Sequence, residues 1–321
     1  MIPLLSFVVP CFNEEDVLRH SVDRLLAAGR ALGETFEVVL VDDGSRDRTW
    51  AIIDESARGH AEVRGVRLSR NFGHQPAIMA GLEAARGVYV LVIDADLQDP
   101  PELAGPMLAE ARTDGGWDVV FGQRRSRAEE TWLKRATARV FYRMLNALAD
   151  RPIPVDTGDF RLMSRRVVEA LIALPERGRY LRGLVGWVGF RQKAFPYDRA
   201  PRAAGQTKYS WGRMLALAVE AVTSFSLRPL RLAIWLGGLQ LGVSALVLAW
   251  ALFSWARGHV VAGWTSMICV MLFIGGMQTL ILGILGEYLG KLFIEAKRRP
   301  IFIVQETTAS AGDAGVRAAN T

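Results

Sequence analysis

Cysteine is nearly absent from the chain, with two residues in 321. Cys11 falls in a short apolar run near the start and Cys269 in a long one far downstream, so the two are not expected to pair and a disulfide scaffold is excluded. Histidine is almost as scarce. His20, His60, His74 and His259 are scattered, and no Cys/His spacing of the zinc-binding kind occurs. By chain order His74 lies near the acidic segments described below, but it reads as a surface or helix-capping residue. Charged residues make up only 22% of the chain while half of it is hydrophobic, which excludes a disordered polymer. Two phosphate-binding signatures are also missing. The first strand-to-helix turn contains no glycine, so it lacks the G-x-G-x-x-G bend of dinucleotide dehydrogenases, and no G-x-x-x-x-G-K-[ST] loop is present. The opening MIPLLSFVVP has neither a basic leader nor a small-residue cleavage site, so no signal peptide is expected.

The apolar residues are concentrated. Leu232–Trp255 is 24 residues without a charge, and Val260–Gly286 is 27 more. A helix needs about 20 such residues to cross a bilayer, so each run is long enough. The short turn between them, Ala256-Arg257-Gly258-His259, fits a helical hairpin. Arg228 and Arg231 precede the first run, and Lys291, Lys297, Arg298 and Arg299 follow the second, with only Arg257 in the turn. The positive-inside rule therefore places both termini in the cytoplasm. The net charge of +6 gathers beside these runs and no base-reading motif accompanies it, so a nucleic-acid role is not expected.

At about 150 residues per domain the chain has room for two structural units. Upstream of the hairpin, apolar β-rich runs alternate with helical periods. Strands are expected at Ser6–Phe12, Phe36–Val41, Val63–Leu68, Val88–Ile93 and Asp118–Phe121, with helices at Glu14–Leu32, Thr49–Arg58, Gln75–Ala85 and Pro101–Arg112. The alternation predicts an α/β fold with a mostly parallel sheet covered by helices on both faces. Such sheets bind ligands beyond the carboxyl ends of their strands. Acidic residues fall at those ends: Glu14 and Glu15 after the first strand, Asp42 and Asp43 after the second, and Asp94, Asp96 and Asp99 after the fourth. Asp94 and Asp96 stand two apart on an extended segment and point to one side. They suit a hard divalent cation such as Mg²⁺ or Mn²⁺, with Gln98 able to add an amide oxygen and substrate phosphates the rest. A cation there would ease departure of a diphosphate.

These residues sit in longer motifs: VVPCFNEED (Val8–Asp16), VDDGSRDRT (Val41–Thr49), RNFGHQPAIMAGLEAARG (Arg70–Gly87), DADLQDPPE (Asp94–Glu102), DTGDFRLMSR (Asp156–Arg165) and GQTKYSWGRM (Gly205–Met214). In this order the chain resembles the family 2 inverting glycosyltransferases, in particular the polyprenyl-phosphate glycosyltransferases similar to dolichol-phosphate mannose synthase and bacterial bactoprenol glucosyl transferases. The resemblance covers about 1–230, and the two spans fit the membrane-anchored bacterial members. It implies a GT-A fold, a Rossmann-like nucleotide-diphospho-sugar transferase domain. It implies that Pro10, Phe12, Asn13, Glu14, Asp42 and Asp43 hold the nucleotide, and that Asp94, Asp96 and Gln98 surround the metal and diphosphate. It points to Arg124, Arg135 and Lys208 as partners of the acceptor phosphate, and to Asp156 and Asp159 as the place of a catalytic carboxylate. A phosphate monoester is mostly ionised at pH 7 (second pKa about 6), so proton abstraction is undemanding, and Asp156 or Asp159 is expected to orient the acceptor, for instance by holding Arg161 or a lysine.

The expected layout is a cytoplasmic catalytic domain over 1–210, an interfacial helix over 211–230, spans over 231–256 and 260–287, and a basic cytoplasmic tail over 288–321 whose polar end (QETTASAGDAGVRAANT) is disordered. The expected activity is inverting transfer of one sugar from a nucleotide donor, UDP-glucose first, to undecaprenyl phosphate at a bacterial inner membrane. UDP-N-acetylglucosamine and GDP-mannose stay open as donors, and a homo-oligomer is expected from the glycines of the hairpin. Two alternatives compete: a processive polysaccharide synthase, against which stand the missing Q-x-x-R-W motif and the small number of spans, and a catalytically dead, membrane-anchored assembly subunit.

Overall fold

The computed structural model describes residues 2–96, 98–113, 115–124, 157–176, 181–198, 228–257 and 263–308. The chain divides into two units. One comprises Met1–Thr137, Ile153–Lys208 and Pro300–Thr321, and the other Ala138–Pro152 and Tyr209–Arg299.

The first unit is built on a sheet that begins with β1 (Leu5–Cys11), β2 (Phe36–Asp42), β3 (Val63–Leu68) and β4 (Tyr89–Val92). All seven residues of β1 are buried, as expected of a strand covered on both faces. β1 pairs in parallel with β2 (Val8 opposite Val39) and with β4 (Val8 opposite Val92), and β3 continues the parallel set beyond β2. Between them run α1 (Leu18–Ala31), α2 (Thr49–Gly59) and α3 (His74–Ala84). α1 turns Leu18, Val22, Leu25 and Leu26 into the core at helical spacing. A single 3₁₀ turn at Pro101–Leu103 leads into α4 (Ala104–Ala111).

The rest of the sheet is β5 (Val119–Arg124), β6 (Thr157–Ser164) and β7 (Gln192–Tyr197), with α5 (Arg165–Ala173) and α6 (Leu181–Trp187) between the last two. With β8 (Val304–Thr307), the spatial order is β7-β5-β6-β4-β1-β2-β3-β8. β6 is antiparallel to both β4 and β5, and β5 is parallel to β7. The mostly parallel sheet expected from the alternation therefore holds, interrupted at β6 and β8. The reversal of β6 matters for the site, because it carries the start of that strand to the edge where the parallel strands end.

β8 corrects one expectation. The polar end of the tail, 305–321, is expected to be disordered, yet its first residues are ordered, Val304–Thr307 pairing antiparallel with β3; residues 309–321 lie outside the described residues. Ser69 N–H donates to the Ile303 carbonyl (2.9 Å), and Gly65 exchanges hydrogen bonds with Thr308, donating to its Oγ1 (2.8 Å) and accepting from its N–H (3.0 Å). The strand forms because β3 offers an edge of unpaired backbone groups, a driving force that side-chain polarity does not reveal.

In the second unit α7 (Arg228–Ala256) and α8 (Trp264–Ala296) form a hairpin, with Gln240 Nε2 donating to the Ile274 carbonyl (3.5 Å). Within them, Ala233–Trp250 and Phe273–Ala296 have mean hydropathies of 1.7 and 1.3, and at most 6% of either stretch is buried. At about 1.5 Å per residue each helix exceeds the ~30 Å hydrocarbon core, which fits a transmembrane hairpin. Both helices outrun the expected spans, α7 starting at Arg228 and α8 ending at Ala296. Glu287, Lys291 and Glu295 recur every fourth residue, a spacing that supports helix where the apolar run stops.

Candidate active site

A cleft of about 270 Å³ opens at the carboxyl ends of β1, β2 and β4, lined by residues that include Pro10, Phe12, Glu14, Asp43, His74, Asp94 and Asp96. Phe12 is 42% exposed, an apolar ring left open at the cleft. Cys11 also lines it, but is buried, and burial raises its thiol pKa, so it stays protonated.

The loops that follow β1 and β2 are joined by side chain–backbone hydrogen bonds. Asn13 adopts a left-handed conformation (φ 56°). Its N–H donates to Ser45 Oγ (2.9 Å) and its Oδ1 accepts from Arg46 N–H (3.0 Å). Glu14 N–H donates to Thr49 Oγ1 (2.9 Å), and Arg48 N–H to Glu15 Oε2 (3.0 Å). Gly44 (φ +66°) lets the second loop pass close to the third, since a Cβ there would lie 2.4 Å from the Arg70 carbonyl carbon. Asp43 then accepts from Phe72 N–H (2.7 Å) and Gly73 N–H (2.9 Å), fixing the entry to α3. Burial raises the Asp43 pKa, and those two N–H groups only partly offset the rise. Asn13 and Asp42 are thus brought to the loops but do not line the cleft. Asp42 is fully buried, its Oδ1 accepting from Ser45 N–H (3.0 Å).

The Asp94–Asp96 turn is supported from three sides. Ser21 Oγ donates to the Ala95 carbonyl (2.6 Å), Gln98 N–H donates to Asp96 Oδ1 (3.1 Å), and Tyr197 O–H donates to Asp99. Gln98 is buried and does not line the cleft, so the contact it makes with the turn runs through its backbone. The Asp94 pKa is pushed up to about 6 by burial and by the neighbouring Asp159, Asp99 and Asp96, against the pull of His74.

Beside this turn lies a charged cluster that sequence reading largely missed. Asp159, near the start of β6, is buried and grips Arg182 of α6 through two hydrogen bonds of 2.9 Å. His74 Nε2 lies 3.2 Å from Asp159 and 3.6 Å from Asp94. Gln75 Nε2 donates to Asp159 (3.4 Å), and Arg161 stands 4.0 Å away. Burial opposes charge on both Asp159 and His74, but the partners win. The Asp159 carboxyl is held well below the usual range by His74, Arg182 and Arg161, and the His74 imidazole is raised by Asp159 and Asp94. His74 is therefore part of the cleft rather than a bland surface or capping residue. Its position just after β3 could have signalled this, because the strand-end rule applies to β3 as to the others. No local feature marks Arg182, which reaches Asp159 only through the fold. Arg124 ends β5 at the same edge, its side chain lying outside the described residues, as do Asp156, Arg135, Lys208 and residues 211–227.

Among the described residues no three His, Cys, Asp or Glu side chains form a closed metal cage. The oxygen donors Asp94 and Asp96 at an open cleft fit instead a hard divalent cation whose shell is completed by substrate phosphates.

An acidic cleft at the carboxyl edge of this mixed sheet, in a chain that also carries an apolar hairpin, defines an α/β fold with a strand-end ligand cleft and a membrane-anchoring hairpin. Comparison with known proteins places it further. Residues 6–172 match the model of glycosyl transferase family 2, and residues 228–292 match the GtrB C-terminal hairpin. The chain is 43% identical over 306 residues to an uncharacterized glycosyltransferase of Synechocystis, covering 94% of this chain and 95% of that one. It is 39% identical over 304 residues to the bactoprenol glucosyl transferase of Shigella phage SfII, covering 94% and 98%. Among solved structures, glucosyl-3-phosphoglycerate synthase of Mycobacterium tuberculosis, determined with Mn²⁺, UDP and phosphoglyceric acid, shares the fold, with a TM-score of 0.51 and 21% identity over 69% of this chain and 76% of that one. The chain belongs to glycosyl transferase family 2, with a GT-A-like catalytic fold.

Proposed function

We propose that this glycosyltransferase moves a single sugar, with inversion, from a nucleoside-diphosphate donor to a polyprenyl phosphate at the cytoplasmic face of a bacterial inner membrane. UDP-glucose is the first donor to try. The observation that carries the reading is the gathering of Glu14, Asp43, Asp94, Asp96 and His74 around one cleft in a chain whose match to a bactoprenol glucosyl transferase runs through the hairpin.

In this reading Pro10, Phe12 and Glu14 form the nucleotide wall, Asp43 keeps that wall in register with α3, and Asn13 and Asp42 hold the loops behind it. Asp94 and Asp96 hold Mg²⁺ or Mn²⁺, and Gln98 orients Asp96. The metal, when bound, neutralises the departing diphosphate. Asp159, locked as a carboxylate between His74 and Arg182, orients rather than takes a proton, and an acceptor phosphate already ionised needs no strong base. Arg124, Arg135 and Lys208 are assigned to that acceptor phosphate as cationic partners, and Asp156 to its orientation. In the hairpin, a Cβ at Gly238, Gly242, Gly275, Gly276 or Gly283 would meet nothing within 4 Å, leaving room for a second copy in a homo-oligomer.

The test is a donor screen with the purified full-length chain, undecaprenyl phosphate and Mg²⁺ or Mn²⁺, reading the lipid product by mass spectrometry. One sugar per lipid is expected, lost with EDTA or in Asp94→Asn and Asp96→Asn. Longer products would indicate a processive synthase, and turnover of no donor an inactive assembly subunit.

A further inference from the structure

We propose that the C-terminal strand is a working part of the donor site, with Glu306 and Arg67 acting as positioning residues for the loops of the cleft. The inference rests on the donor reading above and adds residues that lie outside the cleft.

A continuous chain of polar contacts runs from β8 to the cleft wall. Glu306 Oε1 accepts from Arg67 of β3 (2.9 Å), and Arg67 Nε faces Asp42 Oδ2 at 3.4 Å. Asp42 Oδ1 accepts from Ser45 N–H (3.0 Å), and Ser45 Oγ accepts from the N–H of Asn13 (2.9 Å). Asn13 stands between Phe12 and Glu14, both of which line the cleft.

The Arg67–Glu306 pair is partly exposed, at 30% and 43% of the two side chains, and such a pair alone contributes little. Its weight comes from Asp42, whose side chain is fully buried and whose Oδ2 makes no hydrogen bond. A buried carboxylate oxygen in that state needs a facing cation, and Arg67 supplies it. Arg67 is in turn held by Glu306 and by the Trp50 ring, whose centroid lies 5.6 Å from the guanidinium carbon. The far end of the chain is Asn13, in the left-handed region (φ 56°) that Asn accepts more readily than other non-glycine residues, and the Ser45 loop fixes it there through hydrogen bonds to its N–H and its Oδ1. Freeing Arg67 loosens Asp42, then the Ser45 turn, then the support of Asn13. Glu306 follows the second apolar helix in the chain, so the donor loops are secured by a residue made after the hairpin.

The test measures UDP affinity calorimetrically, with GDP as comparator, on the full-length protein in lipid nanodiscs. Glu306→Gln is expected to weaken UDP binding about fivefold, the lower end of measured coupling between distinct sites, with Glu306→Asp restoring it and the KM for undecaprenyl phosphate unmoved. Ser45→Ala should also weaken UDP, and adding Glu306→Gln to it should cost little more, because both act on one chain of contacts. Thr308→Val removes a β8 hydrogen bond to Gly65 without touching Arg67, and should lower thermal stability while sparing UDP affinity. Should Glu306→Gln not fold, Arg67→Lys, which keeps the charge but loses the fork, takes its place with the same expected weakening. Unchanged UDP affinity in Glu306→Gln, or equal weakening in Thr308→Val, overturns the positioning role while leaving the donor reading intact. A wild-type protein that binds neither UDP nor GDP overturns both.

Discussion

Asp159 is 4% exposed and faces Arg182, Arg161 and His74, so its charge is both enforced and needed. Replacing it with Asn removes the carboxylate that faces Arg182 and Arg161 and one of the two that face His74. Because Arg182 and His74 are 37% and 46% exposed and stay partly hydrated, the loss of stability should fall below the ~3–5 kcal/mol of breaking a fully buried pair, to be read from the unfolding of wild type and variant at neutral pH. The folded pKa of Asp159 is depressed, so its stabilisation is complete above the unfolded carboxylate value of about 3.9 and is lost progressively as pH falls from there through the lower folded value. The gap between the two proteins should therefore close in acid. The kcat of Asp159→Asn should drop about 100-fold through misplacement, with both limbs of the pH–rate profile kept. Disappearance of a limb would make Asp159 a base. At this scale the carboxylates after β1, β2 and β4 were legible, because each follows an apolar run, whereas Asp159 stands before the apolar part of β6 and was expected only from the family resemblance. Its cationic partners were not legible: Arg182 and His74 are 23 and 85 positions from Asp159, and only the reversal of β6 brings the three together.

Strands β1, β2 and β4 were readable because each is a largely apolar, buried run, and α1 because its apolar residues keep one period. β8 (VQET) has neither signal. It is four residues long, only Val304 of them is apolar, and it is specified by the backbone edge it joins. The hairpin was the plainest element, since more than twenty consecutive residues lack a charge in each run. Leu246, near the middle of α7, is 73% exposed, a position that lipid explains and water does not. A lysine at the centre of a spanning helix costs about 2.5–3.5 kcal/mol. Leu246→Lys should thus be retained less than wild type by membranes after alkaline carbonate extraction, whereas Leu246→Ala should be retained like wild type. Equal retention of both would mean that Leu246 does not face lipid.

For the whole molecule, the net charge of +6 conceals an acidic cleft and a basic margin to the hairpin. That margin predicts topology. A phosphatase reporter inserted in the short connection between α7 and α8 should be active on the periplasmic side, and one fused to the N-terminus inactive; the reverse pattern would refute cytoplasmic termini. Sheet order is the property that sequence conceals most. Nothing in chain order announces that β6 inserts between β4 and β5, or that the last strand closes the edge opened by the third. That closure has a consequence for biosynthesis. Gly65 and Thr308 are bonded across 243 positions, so β3 leaves the ribosome long before its outer partner exists. Until both hydrophobic helices have been translated, the nascent catalytic unit carries an open, aggregation-prone border. Its final docking step is the long-range contact that closes a very large loop, which makes it the natural candidate for the slow phase of maturation.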